Sequence, residues 1–147
     1  MRTNSVSEGR IDVREAFIDA SFAPAKRWGK VGKTKRGKGT KVIAVADRNG
    51  LPVSVCAESA TPHEVKLAMP TLLRIIIPDA PQNLIGDNAY DSDHLDAELR
   101  LYGIEVIAPH RWNRKNPTQD RRRLKRYRRR WKIEAVCLVA ELSASGR

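Results

Sequence analysis

Hydrophobic positions along the chain follow two patterns, short runs rich in β-branched residues and longer segments with helical spacing, which together predict the secondary structure. The first half favours three strands, and the second and third are joined by a hairpin at Asp47-Arg48-Asn49-Gly50. The second half alternates helices with strands. The predicted strands are 15–22, 41–46, 51–57, 82–87 and 104–108, and the predicted helices are 62–77, 92–102 and a last one from about 122. The order β-β-β-α-β-α-β-α indicates an α/β protein whose mixed sheet is antiparallel early and parallel late.

Local signals refine the ends of the helices. Thr61 and Glu64 form a capping box around Pro62, which suits the first helical position. Pro70 predicts a kink or break in the same helix, because proline removes a backbone donor and its ring clashes with the preceding turn. Gly103 predicts the end of the next helix.

The chain is long enough for one domain with a sizeable core. A mixed sheet flanked by helices in this order is the arrangement expected of a ribonuclease H-like fold. The Gly- and Lys-rich segment 26–40 is expected to be a loop. We expect a flexible N-terminus at 1–14, the folded domain at 15–134 and an atypical tail at 135–147.

Positive charge is concentrated in two segments. The formal net charge is +11, and 20 of the 28 Lys and Arg residues lie in 26–41 and 110–132, which contain a single acid, Asp120. Residues 42–109 carry four basic and ten acidic side chains. Clustered Lys and Arg bind polyanions by releasing counterions from phosphates. A solvated, solubilising face is the alternative, and the concentration of charge in two short segments favours the polyanionic partner.

The cysteines and the hydropathy exclude two classes of protein. Cys56 and Cys137 are far apart and have no neighbouring His or Cys at zinc-ligand spacing, so zinc is not indicated. Two lone cysteines suit a reducing compartment. The first residues lack an apolar signal core, and no segment is long enough to span a bilayer. We therefore expect a cytoplasmic protein with no membrane partner.

Three acids stand where a metal site could form. Asp19 ends an apolar run in the first predicted strand, Asp87 follows Leu84-Ile85-Gly86, and Glu134 lies in the last predicted helix. Phosphodiester chemistry with magnesium needs hard oxygen ligands that hold one or two ions, about 4 Å apart when there are two. If the two strands are neighbours, Asp19 and Asp87 converge, and a helix across the sheet can bring in Glu134.

Each acid also has a plain structural interpretation. An Asp after an apolar run is often a cap or turn residue, and this is sufficient for Asp47, Asp91 and Asp93. Glu134 could instead pair with Arg130 one turn away on the helix surface. The metal-site hypothesis depends on the three acids together.

The chain resembles bacterial insertion-sequence transposases of the DDE class, in the groups conventionally numbered four and five. The similarity runs from about Phe17 to Glu134. In the third-acid block the family shows Tyr, two residues, Arg, three residues and Glu, as at Tyr127, Arg130 and Glu134. The matching blocks are 17–26 around the first acid, the basic stretch 31–41, 84–92 around the second acid, and 108–111 with 126–134 before the third.

The resemblance implies a ribonuclease H-like catalytic core in which Asp19, Asp87 and Glu134 bind Mg²⁺, or Mn²⁺ in its place. It also implies strand cleavage and transfer at element ends, with double-stranded DNA as the partner and a homo-oligomer formed on that DNA. Two alternatives stay open: a catalytically dead basic remnant that binds DNA, and a ribonuclease H-like nuclease that cleaves without strand transfer.

The expected DNA contacts lie in the two basic segments, where like charges repel each other without a polyanion and Gly allows close backbone approach. They are Lys33, Lys35, Arg36, Lys38, Lys41, Arg126, Tyr127, Arg129 and Arg130. Trp28 and Trp112 lie among basic residues, where base stacking is an alternative to simple exposure. His63 and His110 are interpreted as helix-start and loop residues and are assigned no chemistry.

The chain departs from the family pattern at both ends. It begins just before the first-acid block, so we expect DNA-end recognition to be missing or supplied by a separate polypeptide. After Glu134 the family continues with an aromatic and Arg-rich helix, whereas this chain has residues 135–147, with Glu141 where Lys is usual. We expect this copy to be inactive by itself.

A frameshift directly after Glu134 would explain the tail. One set of codons allowed for 135–147, read one nucleotide later, encodes Arg-Phe-Ala-Trp-Leu-Gln-Asn-Phe-Arg-Arg-Leu-Val, which resembles the family's own continuation. The gene sequence tests this hypothesis. We expect the shifted frame to encode this family-like helix, and a gene sequence that does not encode it in that frame would refute the frameshift.

Overall fold

The computed structural model describes residues 11–12, 14–24, 31–35, 37–75, 80–116, 128 and 133. Within these ranges a six-stranded mixed sheet carries two α-helices. The tail 135–147 lies outside the described residues, as does most of the last predicted helix from about 122; only Arg128 and Ile133 of it are described, and Ile133 has helical backbone. The strands are β1 (Glu15–Pro24), β2 (Gly32–Thr34), β3 (Gly37–Ala46), β4 (Pro52–Ser59), β5 (Asn83–Ile85) and β6 (Glu105–Ile107), and the helices are α1 (Glu64–Leu72) and α2 (Asp93–Arg100).

The sheet is antiparallel on one side and parallel on the other. β3 pairs antiparallel with β1 on one edge and with β4 on the other. β5 pairs parallel with β1, and β6 pairs parallel with β5. The order β4-β3-β1-β5-β6 confirms the predicted ribonuclease H-like fold.

The prediction of a loop at 26–40 is wrong for its second half. β2 and the start of β3 form a hairpin in which Gly32 pairs with Gly39 and Thr34 with Gly37. Gly37 has φ of 101°, which allows the chain to reverse. A Cβ at Gly39 would lie 2.4 Å from the Phe22 ring, so the strand can pass only without a side chain there. The glycines that suggested a loop are therefore what allows the hairpin to form.

The capping prediction for α1 is also wrong in its detail. The cap is His63, whose Nδ1 accepts a hydrogen bond from the Val65 amide at 3.4 Å. Thr61 instead lies within hydrogen-bond distance of Ser59, with 3.2 Å between the two hydroxyl oxygens. Pro70 lies inside α1, which ends two residues later at Leu72 rather than continuing toward 77. As predicted, Gly103, at φ of 73°, follows the end of α2.

The core divides between the two faces of the sheet, because successive strand residues point in opposite directions. The helices α1 and α2 cover the first face, with Ala68 and Leu95 buried in the same cluster as Ile18 of β1. On the second face the buried residues are Phe17, Ala44, Ala46, Ile85, Ile107 and Ile133.

Asp47 fixes the hairpin between β3 and β4. It is fully buried, and its carboxylate accepts hydrogen bonds from the backbone amides of Asp12, Asn49 and Leu51 at 2.8–2.9 Å. The turn interpretation of Asp47 is confirmed.

We expect Asp47→Ala to lower the free energy of unfolding by about 2–4 kcal/mol, because three amides lose their buried acceptor. Urea unfolding followed by circular dichroism measures this loss. The control is Glu98→Ala, which removes a half-exposed carboxylate 4.0 Å from His94 and should cost less than about 0.5 kcal/mol. Equal losses in the two variants would contradict the assignment.

Candidate active site

Asp19 and Asp87, the acids of the first and fourth predicted strands, belong to neighbouring parallel strands. Asp19 is in the middle of β1, and Asp87 follows the end of β5 by two residues. β1 and β5 pair in parallel with Phe17 opposite Ile85. Two residues further along each strand stand Asp19 and Asp87. Neighbouring strands lie about 4.8 Å apart. Asp19 and Asp87 therefore follow the last paired residues by the same number of positions, on backbones that are neighbours at Phe17 and Ile85.

Asp19 is buried within β1, opposite a small residue on the neighbouring strand. It is only 8% exposed, and its cross-strand partner on β3 is Ala44. Its Oδ1 accepts a hydrogen bond from the Ala20 amide at 3.0 Å.

A tight turn fixes the backbone that carries Asp87. The Asp87 Oδ1 accepts the Ala89 amide at 2.9 Å and so caps the 3-10 turn Asn88–Tyr90. The Tyr90 ring is fully buried beneath Gly86, where a Cβ would lie 2.6 Å from a ring carbon. The Gly86 amide also donates to the Ile107 carbonyl at 3.0 Å. Gly86 is therefore required for Asp87 to leave the strand in this direction.

The third predicted acid, Glu134, lies outside the described residues. Its neighbour Ile133 is fully buried in the second-face cluster with Phe17 and Ile85. Those two residues each stand two positions before an Asp, at 19 and 87. Ile133 therefore packs against the two strands, β1 and β5, that precede the other two acids.

Two carboxylates are hard oxygen donors and fit Mg²⁺ or Mn²⁺ by chemical type. Among the described residues no group of three or more His, Cys, Asp or Glu side chains is placed to hold a metal ion. The pair Asp19 and Asp87 alone is therefore an incomplete ligand set, which a third acid would complete.

His63 lies among charged side chains that shift its pKa. Burial lowers the pKa of His63, the nearby charges of Arg111 and Lys41 lower it further, and the charge of Asp87 opposes them. Lys41 is held in place by donating to the Pro62 carbonyl at 2.9 Å, and its Nζ lies 3.9 Å from Glu64. No local sequence pattern indicates that a helix-capping histidine lies among these charges.

Asp91, interpreted from the sequence as a turn residue, has a larger role. Its side chain is 4% exposed and accepts a hydrogen bond from the Arg111 amide at 2.8 Å. It also contacts His110 Nδ1 at 3.1 Å and the Arg114 guanidinium. Burial would raise the pKa of Asp91, but these partners outweigh it and lower the pKa. Residues 110–114 were expected to be a basic loop without assigned chemistry.

The predicted DNA-binding residues fall into three groups. Lys33 and Lys38 are exposed and lie directly opposite each other across the β2–β3 hairpin, and Lys35 is exposed in its turn. Lys41 is instead turned toward α1. Arg36, Arg126, Tyr127, Arg129 and Arg130 lie outside the described residues. Trp112 is 95% exposed, and Trp28 is not described.

In the part of the chain described by the structure, no helix is both long and apolar enough to cross a membrane.

Comparison with solved structures supports the fold. The piggyBac transposase in a synaptic complex with hairpin DNA has 13% sequence identity to the chain and a TM-score of 0.52, over 73% of this chain and 25% of that one. The chain thus spans about a quarter of the length of that transposase. The simian T-cell lymphotropic virus intasome in complex with the PP2A regulatory subunit B56 gamma gives 18% identity and a TM-score of 0.48, covering 99% and 46% of the two chains. The catalytic core domain of BIV integrase has 15% sequence identity to the chain and a TM-score of 0.42, over 92% of this chain and 85% of that one.

No curated protein is significantly similar to the chain in sequence. The family profile described as "Transposase DDE domain" matches residues 13–137, which include Asp19, Asp87 and Glu134. This match covers most of the 147 residues. The chain therefore belongs to the transposase DDE domain family.

Proposed function

We propose that the chain is the catalytic domain of a DNA transposase that uses Mg²⁺ to cleave and transfer strands at the ends of an insertion sequence. Membership of the transposase DDE domain family supports a transposase-type catalytic domain. The observation that carries the finer proposal is the parallel pairing of β1 with β5, because Asp19 and Asp87 each follow its last pair, Phe17 and Ile85, by two residues.

In this proposal Asp19, Asp87 and Glu134 hold the ion. Mg²⁺, or Mn²⁺ in its place, supplies charge stabilisation to the reacting phosphate when bound. Asp19 and Asp87 contribute carboxylate oxygens from rigid positions, one within a strand and one at the cap of a turn. Arg111 donates to the turn that Asp87 caps, and its positive charge there reduces the repulsion between that acid and an incoming phosphate.

Glu134 is proposed as the third ligand. Its support comes from Ile133, which is buried against the strands that carry the other acids. Consecutive Cα atoms are about 3.8 Å apart. A residue next to Ile133 is therefore within side-chain reach of the same end of the sheet.

The proposed partner is double-stranded DNA, both as element ends and as target. Lys33 and Lys38 face each other across the hairpin, and like charges directly opposite destabilise a strand pair. A polyanion removes that repulsion and so favours a bound hairpin. Lys35, Arg36 and Lys41 of the same segment, and Arg126, Tyr127, Arg129 and Arg130 before Glu134, are proposed to add contacts. A homo-oligomer on DNA and a separate end-recognition polypeptide complete the proposal.

Although the altered ends of the chain suggest inactivity, the burial of Ile133 against β1 and β5 leads us to expect that the purified chain nicks DNA carrying the ends of its own element in the presence of Mg²⁺ or Mn²⁺. Asp87→Asn should lower the rate at least 100-fold, because it replaces an ionised ligand by a neutral one of the same shape. Gel analysis of nicked and joined products measures both steps. Asp93→Asn, a carboxylate six residues away that is exposed and paired with Arg114, is the matched control and should retain activity.

The reaction products distinguish between the three candidate functions: transposase, nuclease and DNA-binding remnant. Nicking together with strand joining supports a transposase, whereas nicking alone indicates a nuclease. DNA binding with equal inactivity of the chain and of Asp87→Asn would contradict an active site in this copy and indicate a binding remnant.

The hairpin is tested separately through the salt dependence of DNA binding. Each phosphate contact contributes about 0.9 to the slope of log affinity against log salt. We therefore expect Lys33→Gln with Lys38→Gln to reduce this slope by about two. The control, Arg48→Gln with Arg100→Gln, removes the same charge from exposed positions outside the hairpin and should leave the slope near that of the unchanged chain. Equal slopes in the two double variants would refute the hairpin contact.

A further inference from the structure

Asp91 is a buried carboxylate with partners from a distant part of the chain. It accepts the Arg111 amide at 2.8 Å, contacts His110 at 3.1 Å and pairs with the Arg114 guanidinium, which also reaches Asp93. A buried charge is tolerated only when it is paired and hydrogen-bonded, so these contacts hold Asp91 and the loop 110–116 together.

The same loop also donates hydrogen bonds to the turn that Asp87 caps. The Arg111 Nε donates to the Asn88 carbonyl at 3.1 Å, and its Nη2 donates to the Ala89 carbonyl at 2.9 Å. The Ala89 amide donates to Asp87. Ala89 is therefore held by the Asp87 carboxylate on its N–H and by the Arg111 guanidinium on its C=O.

Topology explains why these two segments meet. β5 and β6 are parallel neighbours, so the turn after β5 and the loop after β6 leave the same end of the sheet. The strands themselves are three residues each and pair only up to Ile85 and Ile107. Beyond that point the Gly86 amide still donates to the Ile107 carbonyl, and the contacts of Asp91 and Arg111 cross-link the two segments further.

We propose that Asp91 is a positioning residue, which locks the loop 110–116 onto the turn 88–90 and thereby fixes the carboxylate of Asp87 for ion binding. This inference rests on the proposed function in one respect, that Asp87 is an ion ligand. Partners that orient a ligand in this way typically change metal affinity 10–100-fold when they are removed.

The test uses the full chain and Mn²⁺ alone as the probe, with free Mn²⁺ measured by electron paramagnetic resonance. The chain should bind Mn²⁺, and Asp87→Asn should not. We expect Asp91→Ala to weaken binding at least tenfold at a temperature where the variant is folded. Asp91→Asn keeps an oxygen acceptor for the Arg111 amide and should therefore lose less Mn²⁺ affinity than Asp91→Ala.

Asp47→Ala is the matched control for a structural effect. Asp47 is also buried and accepts backbone amides, but it lies beside the start of β1, at the end of the sheet away from Asp87. Its variant should be less stable yet bind Mn²⁺ like the unchanged chain. Unchanged Mn²⁺ affinity in Asp91→Ala, or equal weakening in both variants, would overturn the positioning role.

Amide hydrogen exchange distinguishes failure of this inference from failure of the proposed function. Absence of Mn²⁺ binding by the unchanged chain, or equal binding by Asp87→Asn, would refute the ion site itself. Asp91→Ala should still speed exchange at residues 88–90 more than Asp47→Ala does, since the lock on the turn is lost. Exchange there that matches the control would refute the lock as well.

Discussion

The parallel pairing of β1 with β5 is the constraint on which the rest of the structure depends. Only three residue pairs make this contact, yet its register decides whether Asp19 and Asp87 stand side by side. A shift of one residue would turn one of the two acids toward the opposite face of the sheet. The register is secured by burial, because Ala16 and Leu84 fill the first face while Phe17 and Ile85 fill the second.

Charge is arranged around this pairing so that acids and bases offset each other locally. Asp91 is buried but surrounded by His110, Arg111 and Arg114, and Lys41 is held between the Pro62 carbonyl and Glu64. The β2–β3 hairpin differs, because Lys33 and Lys38 face each other and both are exposed. Internal charges are thus largely satisfied by the chain itself, whereas Lys33 and Lys38 present their positive charge to solvent.

Much of the fold could be predicted from the sequence, because strand order follows from hydrophobic periodicity and turn residues such as Asn49-Gly50. The acids 19 and 87 could be assigned to the first and fourth predicted strands for the same reason, although Asp19 lies in the middle of β1 rather than at its end. The β2 hairpin was missed because its glycines relieve close contacts with Phe22 and Ser59, which only the folded chain reveals. The contacts between the loop 110–116 and Asp91 join residues about twenty positions apart, so no local sequence pattern predicts them.

The distance along the chain between paired strands has a consequence for biosynthesis. β1 pairs with β3 and β3 with β4, both antiparallel and close along the chain, so these three strands can pair as soon as residue 59 is available. β5 must close a loop of more than 60 residues to reach β1, and long-range parallel pairing is intrinsically slow. On the ribosome, where a chain grows by about 5–20 residues per second, the antiparallel half therefore has seconds to form first. The two acids come together only afterwards, so an incomplete chain cannot present them as a pair.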